Sequence, residues 1–289
     1  IKSIKSGTKC FDWKVPKEWL FTRAYIEDEN GEKVIDTEIN NLHIVGYSTP
    51  FNGWISKDEL DKKLHYIKDM PDAIPYVTSY YKEDWGFCLS YDQYKLLSGA
   101  RYKVVIESKL IKGEMNYGEI VIKGRSKKEI LISTYICHPS MANNELSGPI
   151  IATYVTKELM KLKNRYTYRI LFVPETIGSI AYISKNLGRL KRRVVAGLVL
   201  TCIGDDGPYS YLESRHGNTL PDKIVKYILK KYYKDGDIRE WGWSQRGSDE
   251  RQFGSPGVDL PICSVMRSKY QTYPEYHTSK DDLSLFTEE

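Results

Sequence analysis

The chain has 289 residues, of which 41% are hydrophobic, with a mean hydropathy of −0.48 and a formal net charge of +5. These values are typical of a soluble globular protein with a sizeable core, and no run approaches the roughly 20 apolar residues that a membrane helix needs. The basic residues are spread out, and their densest clusters, Lys191–Arg193 and Lys230–Lys231 with Lys234, fall on predicted helices or directly after them. We therefore expect solvated helix faces, with neither a nucleic-acid nor a membrane partner.

The five cysteines are scattered along the chain, odd in number, and include no CxxC pair. This usage excludes a zinc ribbon and favours buried free thiols in a reducing compartment. The first residues lack the apolar stretch of a secretory signal, so we expect a cytoplasmic protein. The chain starts at Ile1 rather than at a methionine, so we also expect it to be a fragment at that end. A homo-oligomer is compatible with this composition.

Ahead of the part that alternates strands and helices, the segment 46–123 is rich in aromatic and turn residues. Two apolar runs in it, at 102–108 and 117–122, predict strands joined by a turn near Lys112 and Gly113. We interpret 46–123 as a small β-rich domain inserted into an α/β domain formed by 1–45 and 124–289.

From Glu129 onward, apolar runs alternate with amphipathic segments. Four runs predict strands, at 129–136, 168–173, 195–202 and 260–266. Helical spacing between them predicts helices at 147–163, 179–190 and 221–233. The first of these helices should share one apolar face made of Ile150, Ile151, Tyr154, Val155 and Leu159. Strands separated by helices of this length predict a mainly parallel sheet in a three-layer α/β fold.

Two of the five histidines, His138 and His277, follow predicted strands that lie far apart in sequence. Glu175 ends a third strand, directly after Pro174. Because functional groups in open α/β sheets collect at the carboxyl ends of the strands, we expect these three side chains to meet. Two imidazoles are suitable zinc ligands, and a nearby carboxylate can activate a water molecule. The alternative for Glu175 is a structural salt bridge.

A catalytic zinc usually has three protein ligands, so two histidines need a further donor. The loop before the 147–163 helix offers Asn144 and Glu145 as candidates, and the sequence does not decide between them. The alternative for this loop is that Asn143, Asn144 or Ser147 caps the helix.

A dense polar cluster precedes the fourth strand and contains Asp249, Glu250 and Arg251. We predict that these residues, together with Arg267 just after that strand and Tyr276 beside His277, bind the substrate. A structural ion pair is the alternative for the cluster.

The motifs ICHPSMANNELSGP, VPETIGSIAY, RGSDERQF and YPEYHTSKDD occur in this order along the chain. In these motifs the chain resembles the aminopeptidase-like zinc proteins associated with bacterial surface-polysaccharide biosynthesis. These proteins are distant relatives of the bacterial leucyl aminopeptidase and glutaminyl cyclase zinc family. The resemblance covers nearly the whole chain and implies a three-layer α/β fold with a mixed sheet and a small β-rich insertion.

The resemblance also implies roles for single residues. His138 matches the first zinc histidine, His277 the last one, and Glu175 the general base. Asn144 stands where relatives have a bridging aspartate, while Thr176 and Thr201 stand where two-zinc aminopeptidases have acidic ligands. We therefore expect one zinc ion rather than two.

The expected function is zinc-dependent hydrolysis of amide bonds, aminopeptidase-like, on a small peptide or an amide-bearing sugar. The alternative is a catalytically impaired protein that keeps the fold and serves in binding or assembly.

Overall fold

An eight-stranded mixed sheet is the centre of the described chain, which in this computed structural model comprises residues 1–79, 82–233 and 236–286. Helices cover both faces of this sheet, and a separate four-stranded sheet stands beside it. The predicted fold class, a three-layer α/β domain with a mixed sheet and a small β-rich part, is confirmed. No helix within the described ranges is long and apolar enough to cross a membrane.

The strands of the large sheet lie in an order that differs from their order in the chain. From one edge to the other they are β1 (Lys2–Lys5), β10 (Glu114–Ile122), β12 (Thr167–Val173), β11 (Glu129–Tyr135), β13 (Val194–Leu200), β16 (Ile262–Met266), β14 (Tyr209–Leu212) and β15 (Ile238–Trp241). The four central strands β12, β11, β13 and β16 run parallel to one another. Their carboxyl ends therefore meet at one edge.

Three long helices pack on this sheet: α3 (Ser147–Met160), α4 (Ile177–Arg193) and α5 (Leu220–Tyr232). Both α3 and α5 lie on the face that carries Leu198 and Val265, whereas α4 covers the opposite face. Three helices of one turn or slightly more are α1 (Lys57–Asp61), α2 (Tyr91–Lys95) and α6 (Glu250–Phe253). The four strands and three helices predicted after residue 128 are thus confirmed, with ends shifted by a few residues.

The inner face predicted for α3 is wrong in part. Val155 and Leu159 pack against the sheet, but Ile150, Ile151 and Tyr154 are exposed. The reason is a close approach of the helix to β13, because a Cβ at Gly148 would come within 2.4 Å of the Leu200 carbonyl oxygen. Only small side chains fit on that side of the helix, so its buried positions include Ser147, Gly148, Ala152 and Thr156.

The small sheet consists of β5 (Lys33–Asp36), β4 (Glu18–Glu27), β9 (Arg101–Ile111) and β6 (Phe51–Ser56). Two short ribbons accompany the sheets, β2 (Lys9–Cys10) with β3 (Trp13–Lys14), and β7 (Leu64–His65) with β8 (Phe87–Cys88). The strands of the two sheets are not divided at the predicted domain boundaries, residues 45 and 123. The strands at 18–27 and 33–36 join the small sheet, and 114–122 joins the large one.

The physical reason for this difference is strand pairing. β4 pairs with β9 from Glu18 to Glu27, and both contribute to one apolar core with Ala24, Ile26 and Val104. After the turn at Gly113, the chain instead adds β10 to β12 of the large sheet. We propose that the small unit comprises roughly 18–111, with β1 and 114–286 in the large unit.

Arg169 belongs to β12 of the large sheet, and its side chain is buried between two acidic side chains. Its guanidinium donates two hydrogen bonds to Glu129, at 2.7 and 3.1 Å, and one to Glu119 at 2.6 Å. We expect Arg169→Ala to lower the free energy of unfolding by about 3–5 kcal/mol, because the two buried carboxylates lose the buried cation that lies between them. Arg193→Ala is the matched control, since Arg193 reaches Glu129 at 3.4 Å with a half-exposed side chain and should cost less than about 1 kcal/mol. Equal losses for the two variants in urea denaturation would contradict this account.

Candidate active site

His138, Glu175 and His277 meet at the carboxyl edge of the large sheet. His138 follows β11, Glu175 follows β12 and His277 lies in the loop after β16. The ring centroids of the two histidines are 5.0 Å apart, and Glu175 Oε2 is 3.6 Å from His138 Nε2. The predicted meeting of these side chains is therefore confirmed, while their chemical roles stay predictions.

Both imidazoles are neutral at physiological pH. Burial lowers the pKa of His138 to about 4 and the pKa of His277 to about 3. His277 Nε2 is buried and has no hydrogen-bond partner among the residues that the structure describes. A neutral imidazole with a free nitrogen is the form that binds a metal ion.

Glu145 lies against the other edge of the His138 ring. Its Oε2 accepts hydrogen bonds from the His138 backbone N–H at 3.0 Å and from His138 Nδ1 at 3.1 Å. This contact leaves Nε2 of His138 directed to the side of Glu175. A carboxylate bound to the remote nitrogen of an imidazole fixes its tautomer and orientation, as in many zinc sites. The geometry thus gives Glu145 an orienting contact with His138.

Asn144 takes part in buried hydrogen bonds between uncharged side chains. Its side-chain amide donates to the Tyr135 hydroxyl at 2.6 Å, and that hydroxyl also bonds to Thr201. The amide oxygen of Asn144 is buried without a partner in the described part of the chain. At the three positions where the resemblance puts acidic ligands, this chain has the amide of Asn144 and the hydroxyls of Thr176 and Thr201.

The loop before α3 forms a π-helical turn, Ala142–Leu146, which the sequence did not predict. Asp281 holds this turn, because its carboxylate accepts the backbone N–H groups of Asn143 and Asn144. No side chain of the loop caps α3. The capping alternative for this loop is therefore contradicted, and the loop serves to place Asn144 and Glu145.

Glu175 sits in a partly open position at the base of a cavity. Ser248 donates a hydrogen bond to its Oε1 at 2.5 Å. No lysine or arginine among the described residues pairs with it, which contradicts the structural salt bridge considered for this residue. Burial raises the pKa of Glu175 to about 8, so it has the affinity for protons that a general base needs.

Several non-glycine residues around the site have left-handed backbone conformations. The φ angles are 61° at Thr176, 56° at His277, 66° at Tyr47 and 47° at Cys202. Asp249 stabilises the first of these, because it accepts the Thr176 backbone N–H at 2.7 Å. Such conformations cost free energy and are concentrated at functional sites, where the surrounding structure enforces them.

The predicted substrate-binding cluster lies outside the cavity. Asp249 and Glu250 are fully buried, and Glu250 accepts hydrogen bonds from the 247–248 backbone, from Tyr270 and from Ser264. Arg251 is exposed on α6. The two carboxylates are therefore held inside the scaffold that supports Glu175, and substrate binding by Asp249, Glu250 and Arg251 stays a prediction.

Neither Arg267 nor Tyr276 is among the residues that line the cavity. Arg267 donates to the Gly207 carbonyl at 2.6 Å and stacks over Tyr209 in a separate cleft. The Tyr276 ring instead stacks on His277, with centroids 3.9 Å apart and planes 12° from parallel. Sequence position alone could not separate these residues from cavity residues, because both follow the same strand.

The cavity beside the two histidines has a volume of ≈ 740 Å³. Side chains from both sheets line it, and they include His138, Glu175 and His277, the three residues predicted to meet at the site. The others include Pro16, Lys17, Glu18, Trp19, Tyr47, Tyr76, Glu114, Met115, Cys137 and Ile177. The aromatic richness of 46–123 was the one sequence signal that could have indicated this wall.

The pKa of Asp249 predicts a pH dependence of stability. Burial raises the pKa of Asp249 from 3.8 to about 7. Between pH 3.8 and about pH 7, the folded state therefore keeps a proton on Asp249 that the unfolded state has released. Stability should therefore fall as pH rises through this window. We expect Asp249→Asn to make the denaturation midpoint of the metal-free protein less dependent on pH between about 4 and 7. An unchanged slope of midpoint against pH would contradict a raised pKa at Asp249.

The donor types present, imidazole nitrogens beside amide and carboxylate oxygens, are chemically suited to zinc. His138 Nε2, His277 Nε2 and the Asn144 amide oxygen are neutral donors, and the last two lack partners among the described residues. On the other edge of His138, the donor atoms of Cys137, His138 and Glu145 lie within 4.8 Å of one another. We favour the first set, because Glu145 already accepts two hydrogen bonds from His138.

Comparison with known proteins supports the fold. A family model described as a domain of unknown function, DUF4910, matches residues 1–289. A Clostridium acetobutylicum protein is 49% identical over 287 residues, which are 98% of this chain and 64% of that protein. Its name assigns it provisionally to polysaccharide biosynthesis and gives it an aminopeptidase-like domain. This chain therefore spans less than two thirds of that relative.

Two of the solved structures that are similar to this chain illustrate the likeness. A Clostridium acetobutylicum protein named provisionally as a peptidase has a TM-score of 0.94 at 47% identity, covering 99% of this chain and 67% of that one. The zinc aminopeptidase BSAP of Bacillus subtilis has a TM-score of 0.62 at 12% identity, covering 99% and 80%. At that identity the likeness shows the fold alone. The chain therefore belongs to the DUF4910 family of domains of unknown function and has the fold of the zinc aminopeptidases.

Proposed function

We propose that the protein is a zinc-dependent hydrolase of amide bonds with aminopeptidase-like chemistry. The observation that carries this proposal is the meeting of His138, His277 and Glu175 at one wall of a cavity of ≈ 740 Å³. Two neutral imidazoles and a carboxylate of raised pKa are the groups that metal-assisted hydrolysis requires.

His138, His277 and Asn144 would hold the ion. When bound, zinc supplies a Lewis acid that polarises a carbonyl group and lowers the pKa of a water molecule. Glu145 orients His138 through Nδ1, and Asp281 holds the turn that carries Asn144. The neutral donors would leave the positive charge of the ion largely uncompensated, which favours polarisation of the substrate.

Glu175 would move the proton. Its carboxylate accepts a proton from the attacking water while the water oxygen forms a bond to the carbonyl carbon. The same carboxyl group then gives the proton to the leaving nitrogen as the C–N bond breaks. Ser248 keeps Glu175 in place by donating to Oε1, so Oε2 is the oxygen that faces the reacting atoms.

The cavity is large enough for a small peptide or an amide-bearing sugar. The name of the Clostridium relative supports a substrate from polysaccharide biosynthesis, and we propose this class alongside short peptides. All five cysteines are free thiols, which supports a cytoplasmic location.

The test is metal content and hydrolysis by the purified protein. We expect about one zinc per chain by mass spectrometry and zinc-dependent release of chromophore from aminoacyl anilides. Loss of activity with a chelator and its recovery with zinc would support the proposal. Absence of both zinc and hydrolysis would contradict it.

The hydrogen bonds that link Asn144, Tyr135 and Thr201 favour a second candidate. Asn144 and Thr201 are neutral side chains at positions where the resemblance puts charged ligands. Without those carboxylates the site would bind a metal ion more weakly. The protein would then be a binding or assembly protein with an aminopeptidase-like fold. A metal-free protein that still binds a sugar or peptide in the cavity would support this second candidate.

A further inference from the structure

Tyr76 comes to the site from outside the large sheet. The segment 74–76 lies antiparallel to 277–279, with Pro75 opposite Thr278. The Tyr76 backbone N–H donates to the His277 carbonyl oxygen at 2.8 Å, and Ser279 N–H donates to the Ile74 carbonyl oxygen at 2.8 Å. This short ladder ties Tyr76 directly to the loop that carries His277.

The phenol ring of Tyr76 completes a triangle with the two imidazoles. Its centroid is 5.1 Å from that of His277, edge to face at 88°, and 5.2 Å from that of His138. The two imidazole centroids are 5.0 Å apart. Tyr76 is therefore as close to each histidine as the histidines are to each other, and it also lines the cavity.

Other tyrosines around the site already use their hydroxyls. Tyr135 bonds to Asn144 and Thr201, Tyr270 donates to Glu250, and Tyr273 donates to Asp281. The hydroxyl of Tyr76 has no hydrogen bond to any residue within the described ranges. A phenol is protonated at neutral pH, so this hydroxyl can donate. Tyr76 lines the cavity in which a substrate would lie.

We propose that Tyr76 is a catalytic residue of the amide hydrolysis proposed above, on which this inference rests. Its hydroxyl donates a hydrogen bond to the oxygen of the scissile carbonyl. As water adds to the carbonyl carbon and Glu175 takes the water proton, the π electrons of the C=O bond move to that oxygen. The hydrogen bond strengthens with the developing negative charge, so it lowers the barrier more than it tightens substrate binding.

Tyr76→Phe tests this role, because it removes the hydroxyl and keeps the ring. We expect kcat to fall by about 100-fold while KM changes by less than about threefold. A phosphonate analogue of the tetrahedral intermediate should bind more weakly by a similar factor. Zinc content and melting temperature should be unchanged. Tyr91→Phe is the matched control, since Tyr91 lies on α2 and does not line the cavity.

The outcomes separate this inference from the proposed function. An active wild type with an equally active Tyr76→Phe variant overturns the role of Tyr76 and leaves the hydrolase standing. Loss of zinc or of thermal stability in Tyr76→Phe, in proportion to lost activity, assigns the ring a structural role instead and overturns the inference. A wild type without hydrolysis overturns both.

Discussion

Glu175→Gln should abolish most of the hydrolysis and leave the metal bound. We expect kcat to fall by about 10²–10⁴-fold, because the amide cannot accept the proton from water or return it to the leaving nitrogen. The carbonyl oxygen of the new amide would still accept the hydrogen bond from Ser248, so the local structure should persist. The measurements are steady-state hydrolysis and zinc content of the purified variant.

Glu114→Gln is the matched control for this substitution. Glu114 lines the same cavity but is exposed and lies on β10, away from the strand ends that carry the histidines. We expect its kcat to stay within about threefold of the wild type, since the residue takes no part in proton transfer. If both variants lost activity equally, the loss would come from the charge of the cavity and Glu175 would not be the base.

His277→Ala should remove the metal. Two imidazoles and one amide oxygen are a minimal ligand set, and loss of one imidazole leaves too few donors for tight binding of zinc. We expect zinc content to drop from about one per chain to less than about one tenth. Added zinc should raise the melting temperature of the wild type and leave that of the variant unchanged, because only a bound ion stabilises the folded state.

His138→Ala should behave in the same way. His216→Ala is the control, because His216 is exposed and does not line the cavity. Full zinc content in His138→Ala would show that the ion lies elsewhere. Full zinc in His277→Ala with loss in His138→Ala would instead favour the donor set formed by Cys137, His138 and Glu145.

Local sequence pattern was sufficient for the central elements. The runs at 129–136 and 168–173 are apolar and β-branched because their strands are buried on both faces, and such runs need no distant information. The predicted meeting of His138, Glu175 and His277 followed from a general property of parallel sheets, whose strand ends share one edge.

The inner face of α3 was not predictable in the same way. Helical spacing placed Ile150, Ile151 and Tyr154 inside, but Gly148 brings the helix too close to β13 for large side chains. The distance between a helix and its sheet depends on how the whole fold packs, so the hydrophobic pattern of the helix alone does not predict it.

The sequence by itself determined the class of fold, the succession of the central strands and helices along the chain, and three residues at the candidate site. Only the tertiary structure decided that 18–36 joins the small sheet, that Glu250 is an internal support and that Tyr76 lies beside both histidines. The physical reason is the range of the interactions. Strand and helix patterns arise from neighbours along the chain, whereas strand pairing and cavity walls depend on residues that are about 200 positions apart, such as Tyr76 and His277.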